Sequence, residues 1–219
     1  MFEAILAVAM TLSAHAHGNV LTNGSFEAAG PDYSVGTIDQ RYCYLGSNPG
    51  IECGAPPGWG WYGTSVAIRS NSTAWGAPDA LAGWDTSFGS ALVGVQTSSS
   101  LSQHLSLTAG VYALSWFDAG RNTSFLGGIH AHYYEVRLGS NLLDSFTTSS
   151  GLGWAQHTLT FSAGPGGYTL TFQGLDPGNE HSTSFVDMVT LTAVPEPTSW
   201  LMMIVGTLAL LAWRRRTRA

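Results

Sequence analysis

The stretch VYALSWFD, residues 111–118, sets Tyr112, Leu114 and Trp116 on one face and smaller residues between them. Alternation with a period of two is the mark of a strand buried on one side. YTLTFQG (168–174) repeats the device: Tyr168, Leu170 and Phe172 point one way, Thr169, Thr171 and Gln173 the other. Working outward, ALVGVQ (91–96), SLSQHLSL (100–107), HAHYYEVRL (130–138), NLLDSFT (141–147), AQHTLTF (155–161) and SFVDMVTLTA (184–193) read the same way. The connections TAG, GSN, SAGPGG and DPGN carry residues suited to positive φ or to a proline-set corner. No long amphipathic helical pattern interrupts them. The chain is therefore predicted to be all-β, a two-sheet antiparallel jelly-roll sandwich. An immunoglobulin-like sandwich is the alternative, because periodicity does not fix strand order.

The 219 residues divide into a body and two end segments. Residues 1–16, MFEAILAVAMTLSAHA, read as a signal peptide: apolar from Ile5 to Leu12, with Ala14-His15-Ala16 as a small-x-small cleavage pattern. They depart from the usual signal in carrying Glu3, and no Lys or Arg, before the apolar run. The body is predicted to occupy 17–193. Beyond it, 194–219 holds Pro195-Glu196-Pro197, an uncharged run from Ser199 to Trp213, and Arg214, Arg215, Arg216 and Arg218. The apolar run and its basic flank read as a transmembrane helix at about 199–213 with the body outside. Its length is the difficulty, since 15 helical residues rise only about 22 Å against a hydrocarbon core of about 30 Å.

Between His17 and Val194 the chain has twelve acids, four arginines and no lysine, a net of −8 with neutral histidines. Such a body has no electrostatic claim on nucleic acid and suits an exported domain that binds a divalent cation. Two cysteines, Cys43 and Cys53, lie ten apart in a Gly/Pro-rich stretch. In an oxidising compartment they read as a local disulfide stabilising by about 3 kcal/mol. Free thiols, or half of a metal site, are the other readings.

Residues 30–90 are poorly periodic and rich in Gly, Pro, Ser and rings. Trp59, Trp61, Tyr62, Trp75 and Trp84 are candidate ligand contacts there, because flat rings stack on sugar faces; the same rings also serve as core plugs. His130 and His132, two apart on a strand, point the same way. They form either a pair beside a ligand groove, a satisfied partly buried pair, or two ligands of a metal whose third is not evident. In SFVDMVTL the alternation places Asp187 in a row with Phe185, Val189 and Leu191. A carboxylate among apolar residues needs a partner. A Ca²⁺ shared with Glu27, an arginine, or hydrogen bonds alone would each serve. No G-x-S-x-G, H-E-x-x-H or P-loop pattern occurs, so the expectation is a non-enzymatic protein.

Val194-Pro195-Glu196-Pro197, the apolar run and Arg214-Arg215-Arg216 resemble the PEP-CTERM sorting signal. This resemblance implies recognition at Pro195, Glu196 and Pro197 by an exosortase, after signal peptidase has acted at the other end. It implies a transient inner-membrane anchor and then a place on the cell surface or outside the cell. Proline on either side keeps Glu196 out of helical structure and leaves an extended, charged handle. NVLTNGSFE (19–27), Gly58-Trp59, LSQHLSLTAGVYALSW (101–116) and SFVDMVTLTAVPEP (184–197) resemble galactose-binding-like jelly rolls and related carbohydrate-binding modules. That second resemblance implies a structural calcium at Glu27 and Asp187 and an association with exopolysaccharide. A structural or adhesive protein that binds another protein is the main alternative, and a polysaccharide-active enzyme a further one.

Overall fold

The structure is a computed structural model that describes residues 18–28, 42–45, 52–69, 91–123, 130–150, 153–179, 181–195, 205–208 and 214. Twelve strands follow in chain order: β1 (Tyr42–Leu45), β2 (Glu52–Cys53), β3 (Gly60–Tyr62), β4 (Ser65–Arg69), β5 (Ala91–Gln96), β6 (Ser100–Leu107), β7 (Gly110–Gly120), β8 (Ala131–Leu138), β9 (Asn141–Ser149), β10 (Ala155–Ala163), β11 (Gly166–Gly174) and β12 (Thr183–Val194). Seven form one sheet, here sheet A, in the order β10-β7-β12-β5-β4-β1-β2. Five form sheet B, in the order β3-β6-β11-β8-β9. All pairings are antiparallel except that of β1 with β2. The architecture is the expected all-β two-sheet sandwich.

The even-numbered residues of β7, Tyr112, Leu114 and Trp116, turn inward to meet Leu101 and Leu105 of β6, Tyr134 and Val136 of β8, and Leu170 and Phe172 of β11. Each large apolar side chain fully buried between the sheets stabilises by about 1.5–3 kcal/mol. A second, smaller cluster of Val66, Ile68, Leu92 and Phe185 lies on the other side of sheet A, with Tyr42 and Trp154 against it. Gly94 stands between Val66 and Phe185 in that cluster, where a Cβ would come within 2.7 Å of Val66 Cγ1. Cys43 is buried and disulfide-bonded. The side chain of Cys53 lies outside the described residues, so the expected Cys43–Cys53 bridge is not itself described.

The transmembrane helix expected at about 199–213 is not found. Helical conformation is described only at 205–208 and 214, and no helix among the described residues is long and apolar enough to cross a membrane. The physical reason is the one that length already raised: an apolar run of 15 residues falls well short of the hydrocarbon thickness. The transient inner-membrane anchor that rested on this helix is corrected with it.

The N-terminal segment closes one end of the sandwich by bonding to both sheets. Val20 N donates to Leu191 O of β12 (2.7 Å). Asn19 Oδ1 accepts from Leu21 N and Leu191 N. On the other side, Gln103 of β6 grips the backbone of Thr22 with both ends of its amide, each at 2.8 Å. The chain then turns, with Asn23 and Phe26 at positive φ (52° and 59°), and Val189 N donates to Gly24 O at 2.8 Å. Positive φ is uncommon for non-glycine residues and an outlier for one as bulky as phenylalanine.

This contact requires a glycine. A Cβ on residue 24 would lie 1.8 Å from the Val189 carbonyl oxygen, a backbone atom with no freedom to move aside. Gly24→Ala is expected to destabilise the protein by more than about 2 kcal/mol in urea denaturation. Gly18→Ala, where a Cβ meets nothing within 4 Å, is expected to leave stability unchanged.

Candidate functional site

The turn at 23–26 docks where β12 is irregular. Asp187 pairs with Phe117 of β7 while Thr190 pairs with Ser115, so β12 carries one residue more than its partner between these rungs. Met188 takes the strain at φ 52°. A bulge of this kind switches the face to which the following side chains point. Before it, Phe185 pairs with Ala119 and belongs to the outer cluster of sheet A; after it, Leu191 pairs with Leu114 and belongs to the core between the sheets. The single row predicted for Phe185, Asp187, Val189 and Leu191 is thus split, with Asp187 on the side of Phe185.

Asp187 is only 3 % exposed. Its Oδ1 accepts from Met188 N at 2.6 Å. Burial pushes its carboxyl up to about 8; the Met188 hydrogen bond works against this, and the charge of Glu27 adds to it. Glu27 stands beside it on the turn, its Oε1 accepting from Ala91 N of β5 at 2.6 Å. Two carboxylates are therefore brought close enough to repel, and no cation among the described residues offsets Asp187. Opposed acids at a strained turn fit a hard divalent cation, which takes carboxylate and carbonyl oxygens together. No group of three or more His, Cys, Asp or Glu that could hold a metal ion is found among the described residues.

The other candidate residues are dispersed. Trp59 is a buried plug: its Nε1 donates to Asn23 O at 3.0 Å and its ring lies 5.3 Å from Phe26. Trp61 and Tyr62 are exposed on β3, the edge strand of sheet B, while Trp75 and Trp84 lie outside the described residues. His132 is fully buried with Nε2 3.0 Å from Arg121 O, and burial holds its imidazole below the ordinary histidine range. His130 is half-buried just ahead of β8. Of the C-terminal residues, Pro195 and Arg214 are described, while Glu196, Pro197, Arg215 and Arg216 are not.

What the ring-based reading missed is the outer face of sheet B. Register runs from Tyr62 through Ser100 and Gln173 to Glu135, and a second row from Ser102 through Thr171 to Arg137. Tyr133 stands two residues from Glu135 on the same face, 46 % exposed, and Tyr62 is 75 % exposed. Arg137 is ion-paired with Glu135. Further along this sheet His104, Ser106 and Thr169, with Gly139, Gly167 and the inward-row residue Tyr168, line an open cavity of about 430 Å³. His104 Nδ1 and Thr169 Oγ1 are hydrogen-bonded there at 2.9 Å. The signal for this face was in the sequence as the polar half of each alternating strand.

A PEP-CTERM protein-sorting motif is present at residues 193–216. It begins inside β12, whose last paired residue is Val194, and it supports export to the cell surface. No curated protein matches the chain. Among solved structures, a cyclase from Fischerella sp. TAU in complex with 4-(1H-indol-3-yl)butan-2-one is similar over 84% of this chain and 100% of its own, with 18% identity and a TM-score of 0.53. The TmCBM61 module in complex with β-1,4-galactotriose covers 80% of this chain and 99% of its own at 18% identity, TM-score 0.46. A family 35 carbohydrate-binding module from Clostridium thermocellum covers 62% and 92% at 15% identity, TM-score 0.41. At such identities the likeness is one of fold alone.

The elevated Asp187 carboxyl fixes a pH dependence in the metal-free protein. A folded-state value near 8, above an unfolded value of about 4, contributes stability that is full below about pH 4 and lost as pH rises toward 8. In chelator, thermal melting of the wild type is expected to fall across that interval. Asp187→Asn, which keeps an oxygen for Met188 N but cannot ionise, is expected to melt with a shallower pH dependence and to be the more stable of the two at pH 8.

Proposed function

We propose that this chain is an exported, non-enzymatic protein of the cell surface or extracellular matrix that holds neutral polysaccharide on the outer face of sheet B. The observation that carries this reading is the composition of that face. Exposed rings at Tyr62 and Tyr133 flank rows of hydroxyl and amide groups at Ser102, Thr171 and Gln173, beside the Glu135–Arg137 pair. Rings supply apolar area for the flat side of a sugar, and the polar rows supply directional partners for its hydroxyls. The sorting motif supports the location, with an exosortase and a signal peptidase as partners during export. Glu27 and Asp187 hold a structural Ca²⁺ in this reading, far from any chemistry. The ion would supply a positive charge that no described residue brings to Asp187 and fix the turn at 23–26 against β12.

Binding of the purified protein to a glycan array and to the producer's own polymer tests the first part. Tyr133→Ala and Tyr62→Ala are each expected to weaken binding about tenfold, the loss of one stacked ring being worth on the order of 1–1.5 kcal/mol, with melting unchanged. Absence of binding to every glycan, or binding by both variants as tight as that of the wild type, overturns it and favours a protein partner. For the metal, saturating Ca²⁺ is expected to raise the melting temperature relative to EDTA, and a hundredfold excess over the dissociation constant adds about 2.7 kcal/mol. Binding should also release protons below pH 8, since the cation displaces the proton that Asp187 holds. Identical melting with and without Ca²⁺ removes the ion from the reading.

A further inference from the structure

Among the described residues the two sheets end in four edge strands, β10 and β2 of sheet A and β3 and β9 of sheet B. An edge presents a row of unpaired N–H and C=O groups, which proteins blunt by shortness, charge, proline or a bulge. Three of these edges follow the rule. β2 has two residues and β3 has three. β9 has nine, but it carries Asp144 and a register shift opposite Val136 and Arg137. β10 is the exception: AQHTLTFSA runs for nine residues with no Asp, Glu, Lys, Arg or Pro. It pairs with β7 rung for rung, from Ala155 opposite Asp118 to Ala163 opposite Gly110, without a shift. No strand among the described residues lies on its other side.

The side chains also show this edge to be open. Leu114 and Trp116 of β7 are fully buried, yet the β10 row that points the same way, with Leu159, Phe161 and Ala163, is only half-buried. Leu143 and Phe146 of β9, the edge strand of the facing sheet, are half-buried as well. The two edges meet where Phe146 stands edge-on to His157 at 4.7 Å. An apolar seam thus runs between β9 and β10 along one side of the sandwich.

We propose that β10 is a dimerisation strand, which pairs antiparallel with β10 of a second copy about a two-fold axis at Leu159. The occupant is argued from the strand itself, because its sequence is self-complementary in that register. Leu159 meets its own copy, Thr158 meets Thr160, His157 meets Phe161, and the rungs run out to Ala155 against Ala163. All nine residues are used, the half-buried row of one copy continues the half-buried row of the other, and the polar rows align in the same way. A slip of one residue would set the polar row beside the apolar one, and a slip of two would shorten the ladder. Although the body is acidic, no fixed charges oppose each other along this contact. The arrangement is isologous and therefore closes at two copies.

The axis stands perpendicular to the sheet, so both copies turn sheet B to the same side. Resting on the glycan reading above, that gives one polymer two faces to hold at once; the pairing itself needs no glycan.

Sedimentation of the purified full chain, with no glycan present, tests the pairing. The wild type is expected to pass from monomer to dimer as its concentration rises. Thr158 and Thr160 are exposed and alternate with the core-facing Leu159, so charges placed there leave the core untouched while facing each other across the axis. Thr158→Lys with Thr160→Lys, and separately Thr158→Glu with Thr160→Glu, are each expected to weaken the dimer about tenfold through two like-charged cross-strand pairs. An equimolar mixture of the two is expected to restore it, since every Lys then meets a Glu, and that recovery also shows both variants to be folded. A wild type that stays monomeric at every concentration overturns the proposal. So does a dimer indifferent to both charged variants, which would place the contact elsewhere on the chain, and so does a mixture no tighter than either variant alone.

Discussion

The hydrogen bond from Val189 N to the carbonyl of Gly24 joins two backbones that are both out of the ordinary. On one side is a turn with Asn23 and Phe26 at positive φ; on the other is a strand bulged at Met188. Neither conformation is favourable by itself, and strain of this sort persists only where surrounding contacts over-determine it. Here they do: Trp59 caps the turn through Asn23 O, Gln103 holds Thr22 from sheet B, and Asn19 holds Leu191 from sheet A. The bulge is what removes Asp187 from the core row, and the turn is what brings Glu27 to it. Two acids on opposite ends of the chain meet because one glycine lets the backbones touch.

The two outer faces of the sandwich differ in kind. Sheet A carries a second apolar cluster on its outer side, with the buried Asp187 next to Phe185. Sheet B presents hydroxyls, amides, an ion pair and exposed rings. An apolar outer face commits a sheet to being covered, whereas a polar one with isolated rings leaves it free for a soluble ligand. The division of labour between the sheets is thus set by the residues of the strands' second face, after the core has claimed the first.

Strand positions from residue 91 onward were legible because period two survives along each of them; the observed β5 and β6 coincide with the alternating runs, and the rest differ by a few residues at their ends. The bulge was not legible, because alternation carries no mark of an inserted residue and DMVT reads as unbroken. Periodicity placed His130 and His132 on one strand face; β8 begins only at Ala131, ahead of which His130 lies, and His132 went to the interior. Trp59 and Trp61 are also two apart, yet one is a plug and the other exposed, since Trp59 follows the turn at Gly58 (φ 86°) and lies outside β3, which starts only at Gly60. Asp118 closes the row Tyr112, Leu114, Trp116 as conspicuously as Asp187 sits in its own, but the hydroxyl that donates to it, that of Tyr134, comes from a strand of the other sheet, which no pattern along the sequence supplies. The apolar run near the C-terminus announced its own shortfall through its length.

β12 lies between β7 and β5 in sheet A, and the chain leaves it at Val194 straight into Pro195 with no intervening spacer. Any pull on the chain beyond that point acts along the axis of a central strand. The ladder bonds to both neighbours run across that axis, so such a load is borne in shear by two ladders, where an edge strand would have one. Gly18 to Leu21 reinforce the same strand at Leu191. A load entering at Val194 would therefore reach β7 and β5 together through the strand that lies between them.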